Sequence, residues 1–239
     1  MTPASTVSRQ SPPTTDWSLY LVTDPELGGG RDAVVPLVTA AVSGGVSVVQ
    51  LRDKHLDSAS FTERARDLAE ALRPTGVPLF LNDRVEIAAD LGLHLHIGQD
   101  DMDYAEARNL LPETSMIGLS VDRHEQIDTL QQLIDRGIRP PDVLGLGPVE
   151  LTDTKTDTGR ALGVTGPGSV SDLATHALTL GIPCVAIGHV GSDNAAALAR
   201  TPVAGLCVVS AIMAAGSTAA ASSSARQLRS LFTTSKENS

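Results

Sequence analysis

A closed (β/α)8 barrel of the TIM type, built as a single domain, is the fold this sequence predicts. Three observations lead there. Short β-rich runs alternate with segments of helical period eight times from about residue 18 onward, and such alternation implies parallel strands joined by helical crossovers. The chain has 239 residues, 41% hydrophobic and only 3% aromatic, a composition suited to a tightly packed α/β core of that size. The turn after the first run, "TDPELGGGRD", carries three consecutive glycines. It matches neither G-x-G-x-x-G nor a Walker A loop, the kind of turn an open doubly wound sheet more often carries.

The expected strands are, in order, "SLYLVT", "VSVVQLR", "VPLFLN", "LHLHIG", "SMIGLS", "DVLGLG", "PCVAIG" and "AGLCVVS". The clearest helix is "SFTERARDLAEALRP", with Ser60 as N-cap, Glu63 three residues on and Pro74 as its stop. "DRHEQIDTLQQLIDRG" follows the same logic and ends on Gly137. "VSDLATHALTLG", "GSDNAAALAR" and a last helix within "AASSSARQLRSLF" complete the set. The barrel is expected over residues 17–233. Residues 1–16, rich in Ser, Thr and Pro, form a disordered lead-in without a secretory h-region, and residues 234–239 form a tail.

The charge balance, 18 basic against 28 acidic residues, gives −10. With no basic stripe, it speaks against nucleic acid and anionic membranes as partners. No apolar run approaches a membrane span. Cys184 and Cys207 sit in apolar runs as small core residues, not as a disulfide framework. A cytoplasmic protein is the expectation, and a homo-oligomer stays open.

The strand ends carry the chemistry. Residues two apart on a strand share a face, so Val46, Val48, Gln50, Arg52 and Lys54 are expected on one side, apolar first and cationic last. In a barrel, catalytic groups come from the C-terminal strand ends. Asn82 and Asp83 end the third strand and Gln99, Asp100 and Asp101 the fourth, with Ser120 on the fifth. Thr152, Thr154 and Lys155 follow the sixth. Asp83 and Asp101 are hard oxygen donors that suit Mg2+ beside a phosphate group; as a bland alternative, each caps the next helix. Backbone N–H groups after the last two strands, "AIGHV" and "VVSAI", suit a phosphate. His94 and His96 share a strand face and form an H-x-H pair, but zinc needs further ligands. His55, His124 and His176 read as loop or helix-surface residues.

The stretches "LYLVTDP", "VVQLRDK", "LFLNDRVEIAADL", "HIGQDD", "LGLGPVELTDTKTD", "AIG" and "VVSAI", in that order over residues 19–213, resemble the thiamine-phosphate synthase family. The resemblance implies the barrel and a transferase. Such an enzyme joins a hydroxymethylpyrimidine diphosphate to a hydroxyethylthiazole phosphate, releasing diphosphate. By motif, Gln50 would contact the pyrimidine. Arg52, Lys54, Asn82, Ser120 and Lys155 would face the diphosphate, with Arg52, Lys54, Ser120 and Lys155 as the catalytic set. Asp83 and Asp101 would hold Mg2+, and Thr152, Thr154, Gly188, Val209 and Ser210 would hold the thiazole phosphate. Two positions depart from the family pattern: Leu151 stands where Pro is usual, and His189 where a phosphate-site Gly is usual. A thiazole tautomerase-like protein or a non-catalytic thiamine-phosphate sensor are the alternative readings on the same barrel. Retention of Arg52, Lys54, Asp83, Asp101 and Lys155 speaks for the synthase.

Overall fold

The computed structural model describes residues 15–151 and 160–238. Eight parallel strands close into a barrel in sequence order. They are β1 (Leu19–Val22), β2 (Val48–Leu51), β3 (Leu79–Asn82), β4 (His94–Ile97), β5 (Ile117–Val121), β6 (Val143–Leu146), β7 (Cys184–Ala186) and β8 (Gly205–Val208). Closure is made by β1 pairing with β8, Leu19 opposite Leu206. The helices are α1 (Val34–Ser43), α2 (Ser58–Leu72), α3 (Val85–Leu91), α4 (Tyr104–Leu110), α5 (His124–Asp135), α6 (Val170–Thr179), α7 (Ala195–Ala199), α8 (Ser210–Met213) and α9 (Thr218–Glu237). Among the described residues no helix is long and apolar enough to cross a membrane.

The period of two sorts each strand between two cores. Tyr20, Val22, Val48, Phe80, Val143, Val185 and Cys207 fill the barrel, with Trp17 beneath Tyr20 and Phe80. The alternate residues, such as Leu19, Leu21, Val49, Leu79 and Leu81, pack outward under the helices. Both cysteines are buried, as expected. Close packing at the base leaves no room at Gly205, where a Cβ would lie 1.8 Å from the Trp17 carbonyl oxygen. Gly205→Ala should therefore destabilise the barrel at or above the upper end of the ~1–3 kcal/mol typical of overpacking. Urea unfolding measures this, and an unchanged midpoint would contradict it.

Several local expectations are corrected. The cap of α2 is Asp57, not Ser60: its carboxylate accepts from the Ser60 backbone and hydroxyl. A carboxylate three residues upstream satisfies an orphan N–H that Ser60, already inside the helix, cannot. Strand β2 ends at Leu51, so the shared face runs only from Val48 to Gln50. Val46 joins the outer core, while Arg52 and Lys54 stand in the following turn. Helix α9 runs to Glu237, where Lys236 donates to the Thr201 and Val203 carbonyls, so the expected tail is mostly helix. At the other end Thr15 and Asp16 are tied to the barrel, Asp16 by a 2.6 Å pair with Arg229. The rest of the expected lead-in, residues 1–14, lies outside the described residues.

Candidate active site

The mouth of the barrel is built by the turns at the C-terminal strand ends. Thr23, fully buried just after β1, fixes the first of the cationic residues. Its hydroxyl donates to the Arg52 carbonyl at 3.1 Å and accepts from the Arg52 N–H at 2.9 Å. The next residue, Asp53, is buried and takes a 2.8 Å bond from Arg31 Nε. Burial raises its carboxyl, yet the Arg31 bond and the His55 N–H hold it below the usual range. Arg31 follows the three glycines of the β1–α1 loop, so one ion pair ties that loop to the turn bearing Arg52 and Lys54. Sequence reading missed it because the partners are 22 residues apart.

Below this turn the polar interior is paired. Gln50 Nε2 donates to the Tyr20 hydroxyl at 3.0 Å, and both are buried. His96 Nε2 meets Ser120 Oγ at 3.1 Å, and Gln99 Nε2 donates to the Ser120 carbonyl at 2.6 Å. Ser120 is thus placed by two residues from β4 and its turn. In the sequence His96 shows only as half of an H-x-H pair, which gives no sign of this contact. His94 Nδ1 instead accepts the Met116 N–H at 3.1 Å, which removes that nitrogen from any shared ion.

Asp83 and Asp101 come together at the ends of β3 and β4. Partial burial and the adjacent Asp101 carboxyl push Asp83 up to about 7, against the Asn82 amide and the Lys54 ammonium, which pull it down. Asn82 Nδ2 donates to Asp83, and Asp101 accepts the Gly98 N–H at 2.6 Å. Asp83 sits at φ 60, a left-handed conformation that Asp tolerates better than most residues. Two carboxylates this close repel when both are ionised, and a divalent cation removes the repulsion. The donor set therefore fits Mg2+, whose remaining ligands are ordinarily waters and phosphate oxygens. Asp83, Asp101, Asn82 and Lys54 form one group.

The second group lies after β7 and β8. Gly188 has φ 89, and a Cβ there would fall 2.5 Å from Pro148 Cβ, so only glycine fits. His189 follows at φ 57, the conformation a glycine at this place would favour. Asn194 braces the turn, donating to the His189 carbonyl at 2.7 Å and accepting the Gly191 N–H at 3.1 Å. The imidazole is half exposed, its Nε2 3.7 Å from Glu150 and 4.0 Å from Asp193. Val209 caps the short α8, which Ser210 begins. A cleft of about 310 Å³ opens here, lined by His189, Ser192, Asp193, Ser210, Ser224 and Gln227.

The β6–α6 loop has a closed base. Leu162 donates to the Pro148 carbonyl at 2.8 Å and Gly163 to that of Val149 at 2.9 Å, while Val149 donates to Ile187. Leu151 is exposed. Thr152, Thr154 and Lys155 lie outside the described residues.

Comparison with known proteins identifies the relatives of this chain. A family model described as thiamine monophosphate synthase matches residues 19–212. A thiamine-phosphate synthase of Azorhizobium caulinodans is 40% identical over 92% of this chain and 97% of its own. The thiamine biosynthesis multifunctional protein ThiED of Corynebacterium efficiens is 55% identical over 87% of this chain. The chain spans only 28% of that relative's length. Among solved structures, the thiamine phosphate pyrophosphorylase of Pyrococcus furiosus superposes with a TM-score of 0.76 at 27% identity, covering 93% of this chain and 98% of that one.

Proposed function

The chain belongs to the thiamine monophosphate synthase family, and from that premise we propose that it joins a hydroxymethylpyrimidine diphosphate to a hydroxyethylthiazole phosphate. The products are thiamine phosphate and diphosphate. One observation carries the reading: Asp83 and Asp101 are paired at the mouth with Lys54 beside them. A carboxylate pair next to a cation suits a metal–diphosphate complex. A tautomerase acting on the thiazole alone has no use for it.

The chemistry follows from the substrate. The electron-rich aminopyrimidine stabilises a cation at its exocyclic methylene. The methylene C–O bond breaks first, its electron pair leaving with diphosphate, and the thiazole nitrogen then forms the new C–N bond. No protein nucleophile is needed. What the protein supplies is charge for the leaving group and alignment for the incoming ring. Bound at Asp83 and Asp101, Mg2+ would offset the negative charge that builds on diphosphate.

Arg52, held by Thr23, and Lys54 would bind the diphosphate oxygens, with Asn82 and Ser120 donating from neighbouring strands and Lys155 from the β6–α6 loop. Gln50, oriented by Tyr20, would contact the pyrimidine. Gly188, Val209 and Ser210 would offer backbone and hydroxyl groups to the thiazole phosphate, joined by Thr152 and Thr154. Apart from the β6–α6 loop, which would serve both, the two proposed anion sites draw on different strands, so the phosphate of one substrate would be anchored apart from the departing group of the other.

The test is turnover of both substrates with and without Mg2+, following thiamine phosphate and diphosphate together. Equimolar, Mg2+-dependent release supports the reading. Binding of thiamine phosphate without turnover would point to a sensor.

His189 gives a further expected result. Its backbone already holds the left-handed form, at a cost of about 1 kcal/mol relative to glycine. A protonated imidazole can return a similar amount as a phosphate donor. His189→Gly should leave kcat nearly unchanged and move the thiazole-phosphate KM by less than about tenfold, which is roughly 1.4 kcal/mol. A glycine variant that activates an inactive protein would contradict it.

A further inference from the structure

On the outer surface, between α5 and α6, lies a cluster that the proposed reaction does not use. His124 begins α5 and His176 stands on α6. Their Nδ1 atoms face each other at 2.9 Å, with ring centroids 5.1 Å apart. The outer nitrogens meet carboxylates: His124 Nε2 lies 3.1 Å from Asp172 Oδ2, and His176 Nε2 lies 3.5 Å from Asp128 Oδ1. The Asp172 carboxyl is held below the usual range, first by the Gly168 N–H and then by His124. The order in space is carboxylate, imidazole, imidazole, carboxylate.

The proton inventory decides what fits between the rings. Asp172 only accepts, so His124 Nε2, 3.1 Å away, carries hydrogen, and in the neutral ring His124 Nδ1 presents a lone pair. Asp128, 3.5 Å from His176 Nε2, favours the same tautomer there without a hydrogen bond to fix it. In that tautomer two lone pairs face each other at 2.9 Å and repel unless an electrophile joins them. A carboxylate on the outer N–H is also the usual support of a metal-bound histidine, fixing its tautomer and its orientation. His124 has that support in Asp172, and His176 has the Asp128 carboxylate 3.5 Å away.

Metal–imidazole bonds of about 2.0–2.1 Å, at roughly 90–110° to each other, place the two nitrogens about 2.9–3.4 Å apart. The observed spacing is at the short edge of that window. The side chains of His124 and His176 are 37% and 28% exposed, so both have room to open by a few tenths of an ångström.

We infer that His124 and His176 bind a divalent transition ion of the imidazole-preferring class (Zn2+, Cu2+ or Ni2+) through their Nδ1 atoms, with Asp172 and Asp128 orienting the rings. Among the described residues, no three ligating side chains gather around one ion, so water completes the shell. Hard, oxygen-seeking Mg2+ is not its ion. The placement gives the site a consequence. Helix α5 follows β5, which carries Ser120, and α6 follows the β6–α6 loop. Asp172 also accepts the Gly168 N–H at 2.7 Å, at the end of that loop. An ion bound here would tie the start of α5 to the last turn of α6, whose first turn closes that loop through Asp172.

Calorimetric titration of the metal-free full chain with Zn2+ alone tests this. The expected result is uptake at a site whose affinity falls by more than about tenfold in His124→Asn and in His176→Asn, and by about tenfold in Asp172→Asn. Circular dichroism checks that each variant is folded. With Cu2+ as the probe, electron paramagnetic resonance should show coupling to two nitrogens, lost in the double histidine variant. Synthase turnover in Mg2+ should stay within about twofold in these variants, since none touches the mouth. Zn2+ affinity unchanged in both histidine variants would place the ion elsewhere and overturn the inference. No uptake at all would overturn it too, leaving the pair joined by a proton only.

Discussion

Replacing Asp83 with asparagine should lower kcat by about a hundredfold or more while the barrel stays folded, the scale of loss seen when electrostatic stabilisation of a transition state is removed. Asparagine is the informative choice. Asp83 has φ 60, where asparagine is tolerated but alanine adds backbone strain. Asp83→Asn therefore removes charge with little change of conformation, and a further loss in Asp83→Ala measures the backbone's share. The same carboxyl predicts a pH effect. Without a cation, Asp83 is pushed from 3.8 up to about 7. Between those values the native chain binds more protons than the unfolded one, so metal-free stability should fall as pH rises across that window. Mg2+ competes with the proton, so its apparent affinity should weaken as pH falls below about 7. Full turnover after exhaustive chelation, or a pH-independent Mg2+ requirement, would sink this reading.

The second large effect is at Arg52. Arg52→Ala should reduce kcat by about a hundredfold with the diphosphate substrate, and leave binding of the thiazole phosphate alone nearly unchanged. The separation follows from the layout: Arg52 stands after β2, whereas the proposed thiazole-phosphate groups follow β6, β7 and β8. Because Thr23 holds Arg52 by its backbone, losing the side chain should not release the turn. Equal loss of both ligands in equilibrium binding would indicate one merged anion site or a misfolded variant. Arg52→Lys separates charge from shape, since lysine keeps the cation but not the planar fork.

The barrel was legible because alternation is a property of the whole chain, and each strand adds to it. That Asp83 and Asp101 meet was legible because they end neighbouring strands. What escaped falls into two kinds. Helices α3 and α4 have seven residues each, too few turns for a periodic pattern to stand out, and α1 is apolar on nearly all sides. The other kind is pairing across the chain. Arg31 with Asp53, Gln50 with Tyr20 and His96 with Ser120 are separated by 20 to 30 residues, and a linear pattern carries no sign of which polar residues meet. The histidines at 124 and 176 read as unrelated surface residues for the same reason. Lys54 was placed on the wrong element because the alternating pattern continues past Leu51, where the hydrogen-bonded ladder stops.

The closed base of the β6–α6 loop has an evolutionary consequence. Pro148 and Val149 are hydrogen-bonded to Leu162 and Gly163, so the barrel grips both ends of the segment between them. Doubling the length of such an insert adds only about 0.6 kcal/mol of closure entropy. The length between these anchors can therefore change at little cost in stability, while the proposed roles of Thr152, Thr154 and Lys155 limit which residues can be exchanged there. No such latitude exists at Gly188, whose neighbours leave room for no side chain.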